Sequence, residues 1–208
     1  MRRVKLFFSA LLAGICIGLG GTVFLSLDNK VLGALFFTVG LFTICTQGLH
    51  LFTGKVCYLW EKDLSYALDL IPIWLGNLAG TWLLAAAERC TRIAPALVEK
   101  AQGLCETKLG DNLASIFLLA IFCNMLSYIA VDGFNKSEHQ VGKYLALFFG
   151  VMVFILSGFE HCVANMYYFS MAGMWSGQTL LYVLVMSLGN SVGGWVFPVV
   201  RRLAAAKS

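Results

Sequence analysis

The sequence predicts an all-α membrane protein whose six transmembrane helices form an inverted repeat of three plus three, with helices two and five interrupted. Three observations predict this class: the composition, the lengths of the apolar runs and a repeated order of motifs. The chain has 208 residues, of which 59% are hydrophobic and 12% are charged. This composition is typical of an integral membrane protein and excludes a water-soluble domain.

Six apolar runs are long enough to cross a bilayer as helices, since a crossing takes about 17–25 residues. The runs cover residues 6–27, 31–59, 70–87, 113–131, 144–175 and 179–200. The basic N-terminus ahead of the first run also fits a signal peptide. Because no small-residue cleavage site follows it, we interpret the first run as a retained helix.

An even number of crossings places both termini on one side, and the basic residues indicate which side. Lysine and arginine are enriched in cytoplasmic segments. With the N-terminus inside, the inner segments carry more of them than the outer segments. The inner set is Arg2, Arg3, Lys5, Lys62, Lys136, Lys143, Arg201, Arg202 and Lys207, and the outer set is Lys30, Arg89, Arg92, Lys100 and Lys108. We therefore expect a multi-pass protein of the inner (plasma) membrane with both termini cytoplasmic. The scattered basic residues do not indicate nucleic-acid binding.

A polar interruption lies in the fifth run, where Glu160, His161 and Asn165 stand in an otherwise uncharged segment. Ionisable groups at membrane depth are costly and usually mark a pathway for a substrate or ion. An unbroken helix over 144–175 would be roughly 48 Å long, against a hydrocarbon core of about 30 Å. We therefore predict a break at Gly158. A helix starting beside His161 would present free N–H groups that favour an anion.

The same order of motifs occurs in both halves of the chain. Residues 11–19 align with 118–126, residues 48–53 with 158–163, and residues 75–82 with 188–195. Each half has three crossings, so the second half must run inverted, and such folds bind their substrate near the midplane. We predict one domain over 1–208 with repeats at about 5–90 and 112–202. The partner break is expected at 48–53, in the second run, which also contains Thr53-Gly54. Chance matches between two unrelated halves are the alternative.

The remaining features point to no second site. Seven cysteines occur without a Cys-x-x-Cys spacing, which favours packing roles, although Cys90 and Cys105 flank the outer segment and are candidates for a bridge. No cluster suggests a metal site or a cofactor. The outer segment 88–111 is interpreted mostly as a solvated surface, with Asp111 or Asn112 capping helix four.

Residues 158–167, Gly-Phe-Glu-His-Cys-Val-Ala-Asn-Met-Tyr, closely resemble the signature of the formate/nitrite transporter family, which usually has Ser in place of Cys162. The resemblance covers almost the whole chain. It extends to Leu51-Phe52-Thr53-Gly54, to Cys123-Asn124, and to Gly189-Asn190 with Gly193-Gly194. It implies a homopentamer of aquaporin-like protomers, each with its own pore for formate, nitrite or hydrosulfide. It implies a channel rather than an enzyme, with protons and the lipid bilayer as its other partners.

The resemblance also implies a role for each matching residue. His161 matches the central pore histidine and Thr53 the threonine that bonds near it, while Asn124 matches a pore-lining asparagine. The other implied pore residues are Lys108 as an outer anion attractor, Phe37 and Phe154 as aromatic constrictions, and Leu51 and Phe52 at the inner slit. Glu160 and Asn165 match residues that brace the broken fifth helix. His50 and Ser127 depart from the family pattern where selectivity is set, which leaves the choice of anion open.

Two routes remain open for an anion that must lose its water at apolar constrictions. His161, with an ordinary pKa of about 6.5, could donate a proton so that a neutral acid crosses. Alternatively, Thr53, His161 and helix-end N–H groups could replace the hydration shell. The first route, with formate at acidic pH, is our hypothesis.

Two hypotheses from other classes are a haem-binding cytochrome subunit with His50 and His161 as axial ligands, and a thiol hydrolase using Cys162. The hydrolase is disfavoured because neighbouring residues on a helix point in different directions.

Overall fold

A computed structural model describes residues 1–205, so Lys207 lies outside the described residues. Within that range the chain is built from helices without strands, which confirms the all-α prediction. The helices are α1 (Arg2–Ser26), α2 (Lys30–Phe37), α3 (Val39–Gln47), α4 (Phe52–Val56), α5 (Leu64–Glu88), α6 (Ala94–Leu109), α7 (Leu113–Lys136), α8 (Gln140–Leu156), α9 (Cys162–Ala172) and α10 (Gly177–Ala205). A short 3-10 turn, Leu59–Glu61, precedes α5.

Five of the six predicted crossings are helices long and apolar enough to span a bilayer: Arg2–Ser26, Lys30–Gln47, Leu64–Glu88, Leu113–Lys136 and Gly177–Ala205. The remaining run is divided into α8, with 17 residues, and α9, with 11 residues. Neither part reaches the usual length of a spanning helix. The sixth crossing by α8 and α9 together stays a prediction.

Both predicted interruptions exist, and each lies within the stretch that the repeat indicated. In the fifth run α8 ends at Leu156, and Gly158 has a φ of 70°, as predicted. In the second run the chain turns at Gly48, with a φ of 65°, at the start of the predicted break and ahead of Thr53 and Gly54. Both of those residues lie inside α4. Glycine adopts the left-handed conformation without a steric cost, which explains why the chain turns at a glycine in both breaks.

Helix packing shows similar glycine contacts in the two halves, at a spacing that corrects one predicted alignment. Gly76 lies against Ala10, and Gly189 lies in the same way against Ala120. The helices α1 and α7 therefore correspond with an offset of 110 residues. The predicted alignment of 11–19 with 118–126 has an offset of 107 residues and is wrong by three residues. That match depended on leucine and alanine, which recur throughout an apolar chain.

The outer segment contains the helix α6, and most of its residues are exposed, which agrees with the predicted solvated surface. Leu97, Ala101 and Cys105 recur every fourth residue and bury one face of this helix. Burial raises the pKa of the Cys105 thiol to about 12. Cys90 is exposed, and both thiols are free, so the structure contains no bridge between them. Asn112 caps α7 by accepting from the Ser115 N–H at 3.0 Å, as predicted.

Replacing Gly80 with alanine should destabilise the bundle, because a Cβ there would meet the Leu11 carbonyl of the packed helix α1. Small residues at such crossings let helices approach closely in a membrane. We expect a loss of about 1–3 kcal/mol, the usual cost of overpacking. Thermal unfolding of the purified protein measures it. Gly103→Ala is the matched control, since that position is open, and alanine there should be neutral or stabilising by up to about 1 kcal/mol. Equal effects of both variants would contradict this packing.

Candidate functional site

Each chain break is held by an asparagine from the last long helix of its own half, which is α5 in the first half and α10 in the second. In the first half the Phe52 N–H donates to Asn77 Oδ1 at 2.8 Å. Asn77 Nδ2 in turn donates to the carbonyls of Ala10 and His50, at 2.8 and 3.1 Å. Asn77 is fully buried. It therefore satisfies backbone groups that the end of a helix inside a membrane would otherwise leave unpaired.

The second half repeats this clamp with Asn190. The Cys162 N–H donates to Asn190 Oδ1 at 2.9 Å, and Asn190 Nδ2 donates to the carbonyls of Ala120 and Glu160, both at 2.8 Å. The sequence singled out Gly189-Asn190 as a motif but did not indicate this role. The sequence signal for this role was the Gly-Asn pair, which occurs in both repeats as Gly76-Asn77 and Gly189-Asn190.

The two breaks bring His161 and Thr53 together in the interior. His161 Nε2 lies 3.0 Å from Thr53 Oγ1. The other ring nitrogen, Nδ1, accepts from the Ala164 N–H at 3.1 Å, so His161 is the N-cap of α9. Because Nδ1 acts as an acceptor, the neutral ring carries its proton on Nε2. The Nε2–H therefore points to Thr53, and both side chains are buried.

Three cavities lie in a row through the protein and share their lining residues. The Lys108 cavity, about 90 Å³, is lined by residues that include Lys108, Asn165 and His161. The central chamber, about 10 Å³, lies between His161, Thr53 and Ser127. The Lys55 cavity, about 110 Å³, is lined by residues that include Lys55, Tyr58 and Asn135. Together they form a path that narrows in the middle.

Two constrictions separate these cavities. Phe37, Phe154 and His161 line both the Lys108 cavity and the chamber. The Phe37 and Phe154 rings meet edge to face with centroids 6.4 Å apart, which is the place expected for aromatic constrictions. At the other side Leu41, Leu51 and Val131 line both the chamber and the Lys55 cavity. The sequence predicted Leu51 there but missed Leu41 and Val131, which look like ordinary apolar helix residues.

Lys108 differs from its predicted role as a free attractor of anions. Its ammonium donates to both oxygens of Glu160, at 2.7 and 2.6 Å, and the side chain is 14% exposed. Asn165 Nδ2 also donates to Glu160, at 2.8 Å, and to the His161 carbonyl, at 3.0 Å. The cation is therefore neutralised inside its cavity. Glu160 and Asn165 lie beside the break, as predicted for residues that brace it.

The other predicted residues support the pore from outside its lining. Asn124 Nδ2 donates to the carbonyls of Thr53 and Asn190, at 3.0 and 2.7 Å, and so connects the two halves. Its Oδ1 is buried without a partner among the described residues. Phe52 is buried and is held by its backbone N–H. Neither the Asn124 side chain nor the Phe52 side chain is among those that line the three cavities.

The two departures from the family pattern have different surroundings. Ser127 lines the chamber, but its hydroxyl donates to the Cys123 carbonyl of its own helix at 3.3 Å. His50 Nδ1 pairs with Ser9 Oγ at 2.8 Å, away from the chamber.

A bundle of membrane-length helices with two interrupted helices and a row of cavities has the construction of a membrane channel. The sequence profile described as formate/nitrite transporter matches residues 1–203. The chain belongs to the formate/nitrite transporter family. This family consists of transporters and channels rather than enzymes.

Individual relatives agree with this assignment. The uncharacterized transporter YrhG of Bacillus subtilis is 28% identical over 185 residues, which cover 81% of this chain and 69% of that protein. Formate-nitrite transporter 2 of Toxoplasma gondii is 32% identical over 79% of this chain, which spans only 39% of that longer protein. A solved structure of a pentameric formate channel with formate bound is similar with a TM-score of 0.85 and 25% identity, covering all of this chain and 98% of the other.

The hydrolase hypothesis finds no support in the family, which consists of transporters and channels, and the cytochrome hypothesis finds none in this geometry. Both ring nitrogens of His161 are engaged, by Thr53 and by the Ala164 N–H, so neither is free to ligate a haem iron. Within residues 1–205, no group of three or more His, Cys, Asp or Glu side chains is arranged to hold a metal ion.

Replacing Lys108 with methionine should destabilise the protein and lower transport at every ionic strength. The variant leaves the buried Glu160 carboxylate without a cation, and breaking a buried pair costs about 3–5 kcal/mol. Because Glu160 already compensates the Lys108 charge, the loss should not depend on salt. Lys100→Met on the same helix is the control, since Lys100 pairs with the exposed Asp28 and such surface pairs are worth about 0–1 kcal/mol. A transport defect that disappears at high salt would instead favour long-range attraction of anions by Lys108.

Proposed function

We propose that the chain forms a channel for small monovalent anions, with formate as the first candidate, and that the path runs through the three cavities of each protomer. The observation that carries the proposal is the position of the His161–Thr53 pair in the narrow chamber between two apolar constrictions. A pore with donors at its narrowest point can replace part of an anion's hydration shell. The chamber of about 10 Å³ has room for about one water molecule, so it must widen to pass any anion. Formate and nitrite require less widening than larger carboxylates, which favours them as substrates.

The proposed passage uses hydrogen bonds in a fixed order. An anion that passes Phe37 and Phe154 meets the Nε2–H of His161. The Thr53 hydroxyl lies within hydrogen-bonding distance of the same nitrogen, so both groups are placed to donate to one anion. Such charge-assisted bonds are stronger than bonds between neutral groups. The anion leaves past Leu41, Leu51 and Val131.

Proton coupling is a further part of the proposal and has a structural requirement. A neutral imidazole is too weak an acid to protonate formate, so the His161 ring must first take up a proton at Nδ1 and become an imidazolium. The imidazolium then gives its Nε2 proton to a formate oxygen, so that formic acid crosses and a neutral ring remains. Nδ1 accepts from the Ala164 N–H, so its protonation would break this cap and place two donors against each other. Coupled transport therefore requires the His161 ring to leave its cap. We expect coupling to grow as the pH falls, because protons then become available.

The assembly and the orientation are proposals of the same kind. The similar solved structure is described as a pentameric formate channel, and its TM-score of 0.85 supports the same assembly for this chain. We propose a homopentamer in the inner (plasma) membrane with both termini cytoplasmic, as the distribution of basic residues favours.

Flux in proteoliposomes tests the proposed function and the choice of anion. Purified protein should carry formate, nitrite and hydrosulfide across the membrane, with acetate slower and lactate slowest because the chamber is narrow. Each solute is measured from pH 5 to pH 8 against protein-free vesicles. Uptake of lactate as fast as formate would contradict selection by the chamber. Nitrite or hydrosulfide faster than formate at every pH would replace formate as the substrate.

A further inference from the structure

The Lys55 cavity contains a cation that the described part of the chain does not neutralise. Lys55 lies in α4, is half-buried and lines the cavity together with Tyr58 and Asn135. Within residues 1–205, its ammonium has neither a hydrogen-bond acceptor nor a carboxylate partner. A partly buried ammonium without a partner is costly, since it has three N–H donors to satisfy.

The two ends of the path differ in whether their lysine is neutralised by a carboxylate. Lys108 is held by Glu160 at one end. In the repeat His50 takes the position of Glu160, and its Nδ1 pairs with Ser9 Oγ. The acidic residue next in the chain to the lining residue Val131 is Asp132, which is already paired with Lys136 and Arg201. The residues lining the Lys55 cavity include no aspartate or glutamate.

The Lys55 cavity lies at the end of the molecule that carries the N-terminus. The Tyr66 hydroxyl, near the start of α5, donates to the Lys55 carbonyl at 2.7 Å. Further along the same helix, Asp69 is paired with Arg2 and Arg3 of the N-terminus. In the proposed orientation this end is cytoplasmic.

We propose that Lys55 forms an anion-binding site at this end of the path, directly beyond the constriction of Leu41, Leu51 and Val131. The inference rests on the proposed anion channel and deepens it. The cavity of about 110 Å³ has room for a small anion with water, since about 10–15 Å³ holds one water molecule. The anion takes the place of the missing carboxylate. It is held next to the constriction before it enters the chamber or after it leaves, and Lys108 cannot act in this way because Glu160 already occupies it.

Steady-state formate flux in proteoliposomes tests the site. Lys55→Met removes the charge at similar length and should raise the half-saturating formate concentration by about tenfold or more, the scale of one lost hydrogen bond to a charged group. Lys55→Arg keeps the charge and should stay within about twofold of the wild type. Lys62→Met is the control for loss of an exposed lysine outside the cavity. A Lys55→Met protein with the wild-type half-saturation overturns the site. A wild-type protein without any anion flux overturns the proposed function instead.

A second variant supplies the missing carboxylate. His50 takes the position of Glu160 in the repeat and stands five residues before Lys55, next to the start of α4. His50→Glu should therefore neutralise Lys55 and raise the half-saturating concentration as Lys55→Met does, while His50→Gln should not. Equal values for the two His50 variants would count against the site.

Bromide soaked into crystals of the wild-type protein gives an answer that does not depend on any variant folding. Bromide is a monovalent anion that anomalous scattering locates directly. Anomalous density beside the Lys55 ammonium supports the site. A saturating soak that leaves the Lys55 cavity without bromide overturns it.

Discussion

Alanine at position 190 should destabilise the protein more than any other single change considered above. The side chain of Asn190 holds the Cys162 N–H and the carbonyls of Ala120 and Glu160, and alanine would leave all three without this partner. Each buried polar group left unpaired costs about 1–3 kcal/mol. Their sum is a large part of a total stability of about 5–15 kcal/mol. Thermal unfolding followed by size-exclusion chromatography should show a much lower midpoint or loss of the assembled protein.

Two comparisons make that result specific. Asn77→Ala should have a similar effect, because Asn77 makes the same three contacts in the first half. Asn29→Ala is the matched control: Asn29 caps α2 at an exposed position, and losing such a cap costs about 1 kcal/mol. If Asn190→Ala were as mild as Asn29→Ala, the two clamps would not be what holds the breaks.

The second large effect is expected in transport, from His161→Asn. Asparagine is a good N-cap, so α9 should still begin at Cys162 and the protein should assemble. The variant lacks a ring proton for the anion, and a hydrogen bond to a charged group is worth about 1.5–3 kcal/mol, or roughly tenfold and more in rate. We expect formate uptake to fall at least that far at acidic pH and to lose its pH dependence. The measurement is uptake of labelled formate by proteoliposomes between pH 5 and pH 8.

His139→Asn is the matched control for this experiment. His139 is also the N-cap of a helix, α8, but it is exposed and makes no side-chain cap bond. Its replacement should leave uptake unchanged. An unchanged pH profile in His161→Asn would show that the chamber histidine does not handle the proton.

The sequence predicted those parts of the fold that follow from local chemistry. Gly158 was identified as a break because a charged segment lay in a run too long to span the bilayer unbroken, and the chain does turn there. The partner break was found because residues 48–53 repeat residues 158–163, and the chain turns there at Gly48. The helix α6 was missed because its buried face consists of only three residues among many charged ones.

Side-chain partners were harder to predict than positions. The sequence indicated Lys108 and Glu160 as separate residues, but their pairing depends on α6 lying over the break between α8 and α9. The clamps of Asn77 and Asn190 join groups far apart in the chain, so no local pattern reports them. Lys55 was not singled out at all. A lysine at the end of an apolar run looks like an interfacial anchor, and only the cavity around it shows that it has no partner.

Simultaneous recording of formate uptake and internal pH in proteoliposomes of the wild-type protein tests the central claim most directly. With an acidic external solution, the account predicts formate uptake well above that of protein-free vesicles, with acidification of the interior as protons enter with formate. Both signals should fall together in His161→Asn vesicles and stay unchanged in His139→Asn vesicles. Formate uptake no faster than in protein-free vesicles would contradict the proposed pore.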